Sequence, residues 1–149
     1  YDAEASAIYH MMIEEDVRRF MRAPFTSIAS DGSAVTFGKD VPHIRNYGTY
    51  PRVLAKYVRQ EGVLSLEQAI HKMTGLPAEQ FGLKRRGRLK KGHAADILVF
   101  DPDAVRENST YGDPHRLSEG MRHVFVNGVH ALDNGRMAQK NGGTFIAGA

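Results

Sequence analysis

An α/β segment over residues 1–88, followed by a β-rich segment over 89–149, is the architecture that the sequence predicts. Three observations carry it. An apolar run, a charged amphipathic stretch and a second apolar run succeed one another between Ser6 and Ser30 with short connections. Apolar residues recur at helical spacing between Val53 and Met73. Asn127-Gly128 then sits between two short apolar runs, the strongest short-range hairpin signal.

The elements follow in order. Ser6-Ala7-Ile8-Tyr9-His10-Met11-Met12-Ile13 is continuously apolar and reads as a buried parallel strand. Glu14-Glu15-Asp16 places three acids where a helix N-terminus favours negative charge. Val17, Phe20 and Met21 continue at helical spacing, Arg18, Arg19 and Arg22 fall toward the helix end, and Pro24 stops it. Phe25-Thr26-Ser27-Ile28-Ala29 is the next expected strand, ended by Asp31-Gly32. Strand–helix–strand with short connections is the unit of a parallel sheet or barrel.

From Gly32 to Thr49 no period is visible, and a loop this long in a compact domain is usually functional or disordered. Thr49 reads as an N-cap with Pro51 in the first turn. Val53, Leu54, Tyr57 and Val58 line one face of that helix, and Gly62 ends it. Ser65-Leu66-Glu67-Gln68 has the spacing of a capping box. Leu66, Ile70 and Met73 face inward on the next helix, Gly75 terminates it, and Pro77 to Phe81 adds one turn. Leu64, Leu66, Leu76, Phe81 and Leu83 are expected in the core.

The texture changes after about Arg88. Ala95 to Phe100 reads as a strand ended by Asp101-Pro102, Asp103 to Met121 as loop, and 123–126 with 129–132 as a hairpin. Asn134-Gly135 makes a further turn.

Composition excludes several classes. With 42% hydrophobic and 25% charged residues the chain is globular in character, and +3 is a weak charge bias. The run Lys84-Arg85-Arg86-Gly87-Arg88-Leu89-Lys90-Lys91 has no interleaved aromatics to stack on bases, so it reads as a solvated turn and no nucleic-acid partner is expected. No apolar stretch approaches the ~20 residues of a membrane span, so no membrane partner is expected. The absence of cysteine excludes disulfides, thiolate metal sites and a cysteine nucleophile from this chain, and is compatible with a cytoplasmic location. The chain begins with Tyr1 inside what reads as folded structure, which suggests a piece of a longer protein.

Several motifs, taken together, resemble a known family. Glu14-Glu15-Asp16-Val17-Arg18-Arg19, Ser30-Asp31-Gly32, and His43-Ile44-Arg45-Asn46-Tyr47-Gly48-Thr49-Tyr50-Pro51-Arg52-Val53-Leu54 are similar to the D-aminoacylase (N-acyl-D-amino-acid deacylase) branch of the amidohydrolase superfamily. Lys72-Met73-Thr74-Gly75-Leu76-Pro77-Ala78, Gly87-Arg88-Leu89, Gly92-His93-Ala94-Ala95-Asp96-Ile97 and Val126-Asn127-Gly128 continue the resemblance in the right order. It implies a (β/α)8 TIM barrel with a small β-sandwich. Ser6–Ile13 and Phe25–Ser30 would be the last two barrel strands, and the residues beyond 88 part of the sandwich. The chain would then be the C-terminal portion of the enzyme, and the N-terminal part of the same protein its missing partner.

The resemblance also implies roles. Asp31, at a strand end, would be the catalytic carboxylate and a contributor to the metal site. Arg45, whose planar fork suits a carboxylate, would bind that of an N-acyl amino acid. His43 would bind substrate or brace the loop. The family's His-Pro-Arg stretch is His43-Ile44-Arg45 here, a departure that affects the path of the loop. The cofactor implied is zinc, held in the family by a His-x-His pair, a cysteine and two later histidines. None of the chain's seven histidines forms His-x-His, and the cysteine is absent. His71, His93, His123 and His130 read as surface or packing residues, and the chain alone is expected to be inactive. Two other readings stand beside this one: a cyclic-amide hydrolase of the hydantoinase or dihydroorotase kind, and a non-catalytic module. Arg45 and the Tyr47-to-Arg52 run weigh against the first, and the apolar faces of two lone parallel strands against the second.

Overall fold

The computed structural model describes residues 7, 9, 11–138 and 140–146 of the chain. Helix α1 spans Glu14–Arg22, α2 Arg45–Arg52, α3 Leu66–Met73 and α4 Gly75–Gln80. A π-helical continuation of α2 runs over Val53–Gln60. Strands β1 (Ile97–Phe100), β2 (Met121–Val126), β3 (Val129–Asp133) and β4 (Arg136–Met137) form one antiparallel sheet in the order β1-β2-β3-β4.

The local signals for α1 and α3 hold. Acids occupy the first turn of α1, and Arg19 and Arg22 its last. At α3 both capping-box bonds form: Gln68 N–H donates to Ser65 Oγ at 3.2 Å, and Ser65 N–H to Gln68 Oε1 at 2.9 Å. The hairpin turn is as expected. Asn127 has φ 48° and Gly128 φ 81°, the left-handed pair that a two-residue hairpin turn requires. Asn134 and Gly135 repeat it at 45° and 82° between β3 and β4.

The two expected barrel strands find no pairing partner among the described residues. Ser6, Ile8 and His10 lie outside the described residues; Ala7, Tyr9 and Met11–Ile13 make no strand pairing, and neither does Phe25–Ser30. A strand exists only through its ladder, and the described residues place no neighbouring strand beside these segments. The second is tied instead to a helix, with Ile28 N–H donating to the Lys72 carbonyl at 3.0 Å. Met11, Ile13 and Phe25 are left exposed.

Three further expectations change. Thr49 does not cap α2: the helix starts at Arg45, and Thr49 Oγ1 donates to the Arg45 carbonyl at 3.0 Å from within it. Pro51 therefore lies inside the helix, where its missing N–H leaves the Tyr47 carbonyl without its helical donor. The backbone beyond it widens to π pairing, with Glu61 N–H on the Lys56 carbonyl at 2.9 Å. Gly75, expected to terminate α3, instead opens α4, since α3 already ends at Met73 with Thr74 as its C-cap. Phe81 is 69% exposed instead of buried, because α4 ends just before it.

The core is built from Val53, Leu54, Ala55, Tyr57, Val63, Leu64 and Ala69, joined by the fully buried Val105 from the loop after β1. Leu66, Ile70, Met73, Phe100 and Met121 pack around it. Lys72 is buried among them, its ammonium donating to the carbonyls of Ala23 and Thr26. Burial lowers its pKa. The basic run is pinned in part: Arg86 pairs with Asp96 and Arg88 with Glu79. No helix among the described residues is long and apolar enough to cross a membrane.

Candidate active site

Asp31 stands at the end of the second apolar segment with φ 48°, a left-handed conformation that aspartate tolerates better than most residues. The turn is held from both sides. Gly32 N–H donates to Ser30 Oγ at 3.2 Å, and Ser33 N–H to Asn46 Oδ1 at 3.1 Å. Asn46 follows Arg45 in the first turn of α2, so the same contact sets the distance between Asp31 and Arg45. Their side chains meet: Arg45 Nη2 lies 3.1 Å from Asp31 Oδ2. The Asp31 side chain is 86% exposed, so apart from the Arg45 contact the carboxylate opens to the outside.

Arg45 N–H donates to His43 Nδ1 at 3.0 Å. The imidazole thereby occupies one of the helix's unsatisfied N-terminal amides and carries its hydrogen on Nε2. Its ring also meets Tyr111 edge-on, with centroids 5.7 Å apart. The sequence candidates Asp31, His43 and Arg45 thus converge on one loop and the start of one helix. Asp31 and Arg45 touch directly, and His43 acts on the backbone of Arg45.

The loop that delivers them is fastened by a residue that no motif marks. His115 Nδ1 accepts the Gly38 N–H at 3.2 Å and lies 3.1 Å from the Tyr47 hydroxyl. Its Nε2 lies 3.0 and 3.1 Å from the carbonyls of Lys39 and Asp40. Since Nδ1 accepts an amide, Nε2 carries the hydrogen and donates to those carbonyls. Phe37 packs edge-on against the rings of both Tyr47 and His115. Tyr47 therefore packs beneath the loop, while Tyr50 is 42% exposed. The only hint of His115 in the sequence is its place in a long loop between strands, which many residues share.

As a metal site the donor set around Asp31 is incomplete. Asp31 fits as one carboxylate ligand, but among the described residues no second or third histidine or carboxylate converges on it. Cavities of about 510, 520 and 720 Å³ are lined by other residues, chiefly of α3, α4 and β1. What this face offers is one exposed carboxylate steered by one arginine, open toward whatever lies across from it.

A model described as amidohydrolase family matches residues 5–131. An N-acyl-D-aspartate deacylase of Alcaligenes xylosoxydans xylosoxydans is 43% identical over 145 residues, 97% of this chain and 28% of that protein. A crystal structure of D-aminoacylase superposes with a TM-score of 0.82 at 40% identity, covering 89% of this chain and 27% of that one. An N-acyl-D-glutamate deacylase from Bordetella bronchiseptica, complexed with zinc and a phosphonate inhibitor, superposes at 0.75 with 40% identity over 81% of this chain and 25% of its own. The chain thus spans a little over a quarter of the length of these relatives. Asp31 and Arg45 lie within the matched stretch, and on that match the chain belongs to the amidohydrolase family.

Proposed function

We propose that the chain is the C-terminal portion of a zinc-dependent, cytoplasmic enzyme that removes the acyl group from N-acyl-D-amino acids. Residues 1–88 would complete a (β/α)8 barrel as its last two strands and helices, and 89–149 would form part of a small β-sandwich. The observation that carries the reading is the 3.1 Å contact between Asp31 and Arg45 at the head of one loop. The relatives named as deacylases of N-acyl-D-aspartate and N-acyl-D-glutamate supply the substrate class. Exposed Tyr9, Met11, Ile13 and Phe25 are side chains that further barrel strands would cover.

Zinc, when bound, lowers the pKa of water to about 7 and so supplies a nucleophile at neutral pH. Asp31 is the one ligand that this chain would contribute, the others lying upstream. The proton work falls to the same carboxylate. Asp31 takes a proton from the attacking water and passes it to the nitrogen as the C–N bond breaks, so the amine leaves neutral. Arg45 spends one N–H on Asp31 and keeps the rest of its fork for the substrate carboxylate. His43 holds the Arg45 backbone in place.

The test uses the full-length protein with N-acetyl-D-aspartate, N-acetyl-D-glutamate and N-acetyl-D-methionine. Asp31→Ala should lower kcat by about 10²–10⁴-fold, the range of a lost general acid–base, with most of the zinc still bound. Arg45→Ala should chiefly raise KM. Full turnover by Asp31→Ala would remove Asp31 from the chemistry, and no turnover of any N-acyl amino acid by the wild type would remove the substrate class.

A further inference from the structure

We propose that His123, His130 and Asp133 form a binding site for a divalent cation of the zinc class on the β2–β3 hairpin. The register assembles it. His123 lies opposite Asp133 and Phe125 opposite His130, with a shift in pairing between Val124 and Phe125. That shift brings a side chain displaced along the neighbouring strand beside His123. His123 Nδ1 lies 3.2 Å from His130 Nε2 and 3.2 Å from Asp133 Oδ1, and all three ligand atoms lie within 4.8 Å of one another.

These spacings suit a metal. Zinc holds nitrogen and oxygen at about 2.0–2.1 Å, so two ligands of a tetrahedral site stand about 3.3–3.4 Å apart. The two contacts to His123 Nδ1 are already close to that edge length. Hydrogen bonding satisfies the group poorly in comparison. With neutral rings, one proton on His123 Nδ1 faces both an imidazole nitrogen and a carboxylate oxygen, and cannot serve both with good geometry. A cation would take a lone pair from each.

The ligands are also oriented. The His130 ring stacks on Phe125, with centroids 4.5 Å apart and planes at 12°. Asp133 Oδ1 accepts the Asn134 side-chain amide at 2.9 Å. Such outer contacts fix ligand rotamers and tune the ligands. The Asp133 side chain is 61% exposed, leaving an entry path and room for a water in a fourth position. Two imidazoles with one carboxylate favour zinc, cobalt, nickel or copper over magnesium and calcium, which prefer all-oxygen sites. Asp31 takes no part in this cluster, so the inference does not depend on the deacylase reading.

The full-length protein, stripped with chelator, would be titrated with Zn²⁺ and with Co²⁺ by calorimetry, and bound metal counted by elemental analysis. The wild type should bind one equivalent more than the double variant His123→Ala/His130→Ala. The near-isosteric Asp133→Asn removes a ligand charge and should weaken that equivalent more than about tenfold, the least that loss of even an outer-shell contact costs. Circular dichroism would show the hairpin variants folded, and Asp133→Asn tests the site even if the double variant does not fold. Added Zn²⁺ should shift the imidazole ¹⁵N resonances of His123 and His130 together, and Mg²⁺ should not. Equal stoichiometry and affinity in wild type and Asp133→Asn would overturn the site. So would ¹⁵N resonances of His123 and His130 that stay unchanged on adding Zn²⁺, which would place that equivalent elsewhere.

Discussion

Replacing His115 with alanine should loosen the loop that presents Asp31, His43 and Arg45, although His115 lies 70 residues beyond Arg45. The ring accepts the Gly38 amide and donates to the Lys39 and Asp40 carbonyls, with the Tyr47 hydroxyl also within reach. Two or three hydrogen bonds at a net 0.5–1.5 kcal/mol each give about 1–4 kcal/mol. Gly38 through Asp40 are exposed, so water replaces part of what is lost, and the lower half of that range applies. A cost of about 1–2 kcal/mol multiplies the opening constant of the loop by about 5 to 30. Amide hydrogen exchange reads that factor directly at the Gly38 amide, with the α3 amides as an internal control. KM is a poorer gauge. While the loop stays closed most of the time, a tenfold rise in a small opening constant barely changes the closed fraction. His115→Gln keeps one donor and one acceptor and should fall between wild type and His115→Ala. Exchange at Gly38 that changes by less than about twofold in His115→Ala would show that the ring rests on the loop without holding it.

Three other outcomes follow from the fold. Lys72→Met removes the buried donor of the Ala23 and Thr26 carbonyls and should cost about 2–4 kcal/mol in urea denaturation; a change under about 0.5 kcal/mol would mean that water replaces the ammonium. Gly120→Ala places a Cβ 2.5 Å from the backbone nitrogen and 2.6 Å from the Cα of fully buried Val105, at φ +87°, and should lower stability by about 2–5 kcal/mol in the same assay. Gly135→Ala, at φ +82° with no neighbour within 4 Å, should cost only about 1–2 kcal/mol, and equal losses in the two would deny the packing argument. Acid should act through α1 and the π segment. The hydrogen bond from Lys56 holds the Glu14 carboxyl below its ordinary 4.5, and that from Arg18 does the same for Glu61. The unfolded chain then binds more protons, so this stability is fully present above pH 4.5 and is lost as pH falls through the lowered folded values. Arg18→Met and Lys56→Met should flatten the fall of the denaturation midpoint below pH 4.5; unchanged slopes would show that both pairs are fully screened.

What could be read from the sequence divides by how far apart the interacting partners lie. The Ser65–Gln68 capping box and the two Asn-Gly turns were legible because each closes within three residues and depends on local dihedral angles and bonds. The expected strands at 6–13 and 25–30 depend on neighbours that no local pattern supplies, and the described residues of both runs gain no ladder. Thr49 and Pro51 form a sound local start signal, yet α2 begins four residues earlier, where His43 offers a ring nitrogen to the Arg45 amide. The helix absorbs the misplaced proline by widening to π pairing beyond it. Family resemblance is what gives Asp31 and Arg45 their roles, since an aspartate before a glycine and an arginine in a loop are each commonplace. Their contact follows from a side-chain bond across the loop, Ser33 to Asn46, which neither residue's own neighbours announce. His115 is the limiting case: it holds Gly38 from 77 residues away. The β-rich half is therefore part of the machinery that positions the loop, and a change there can reach Arg45 through a single imidazole.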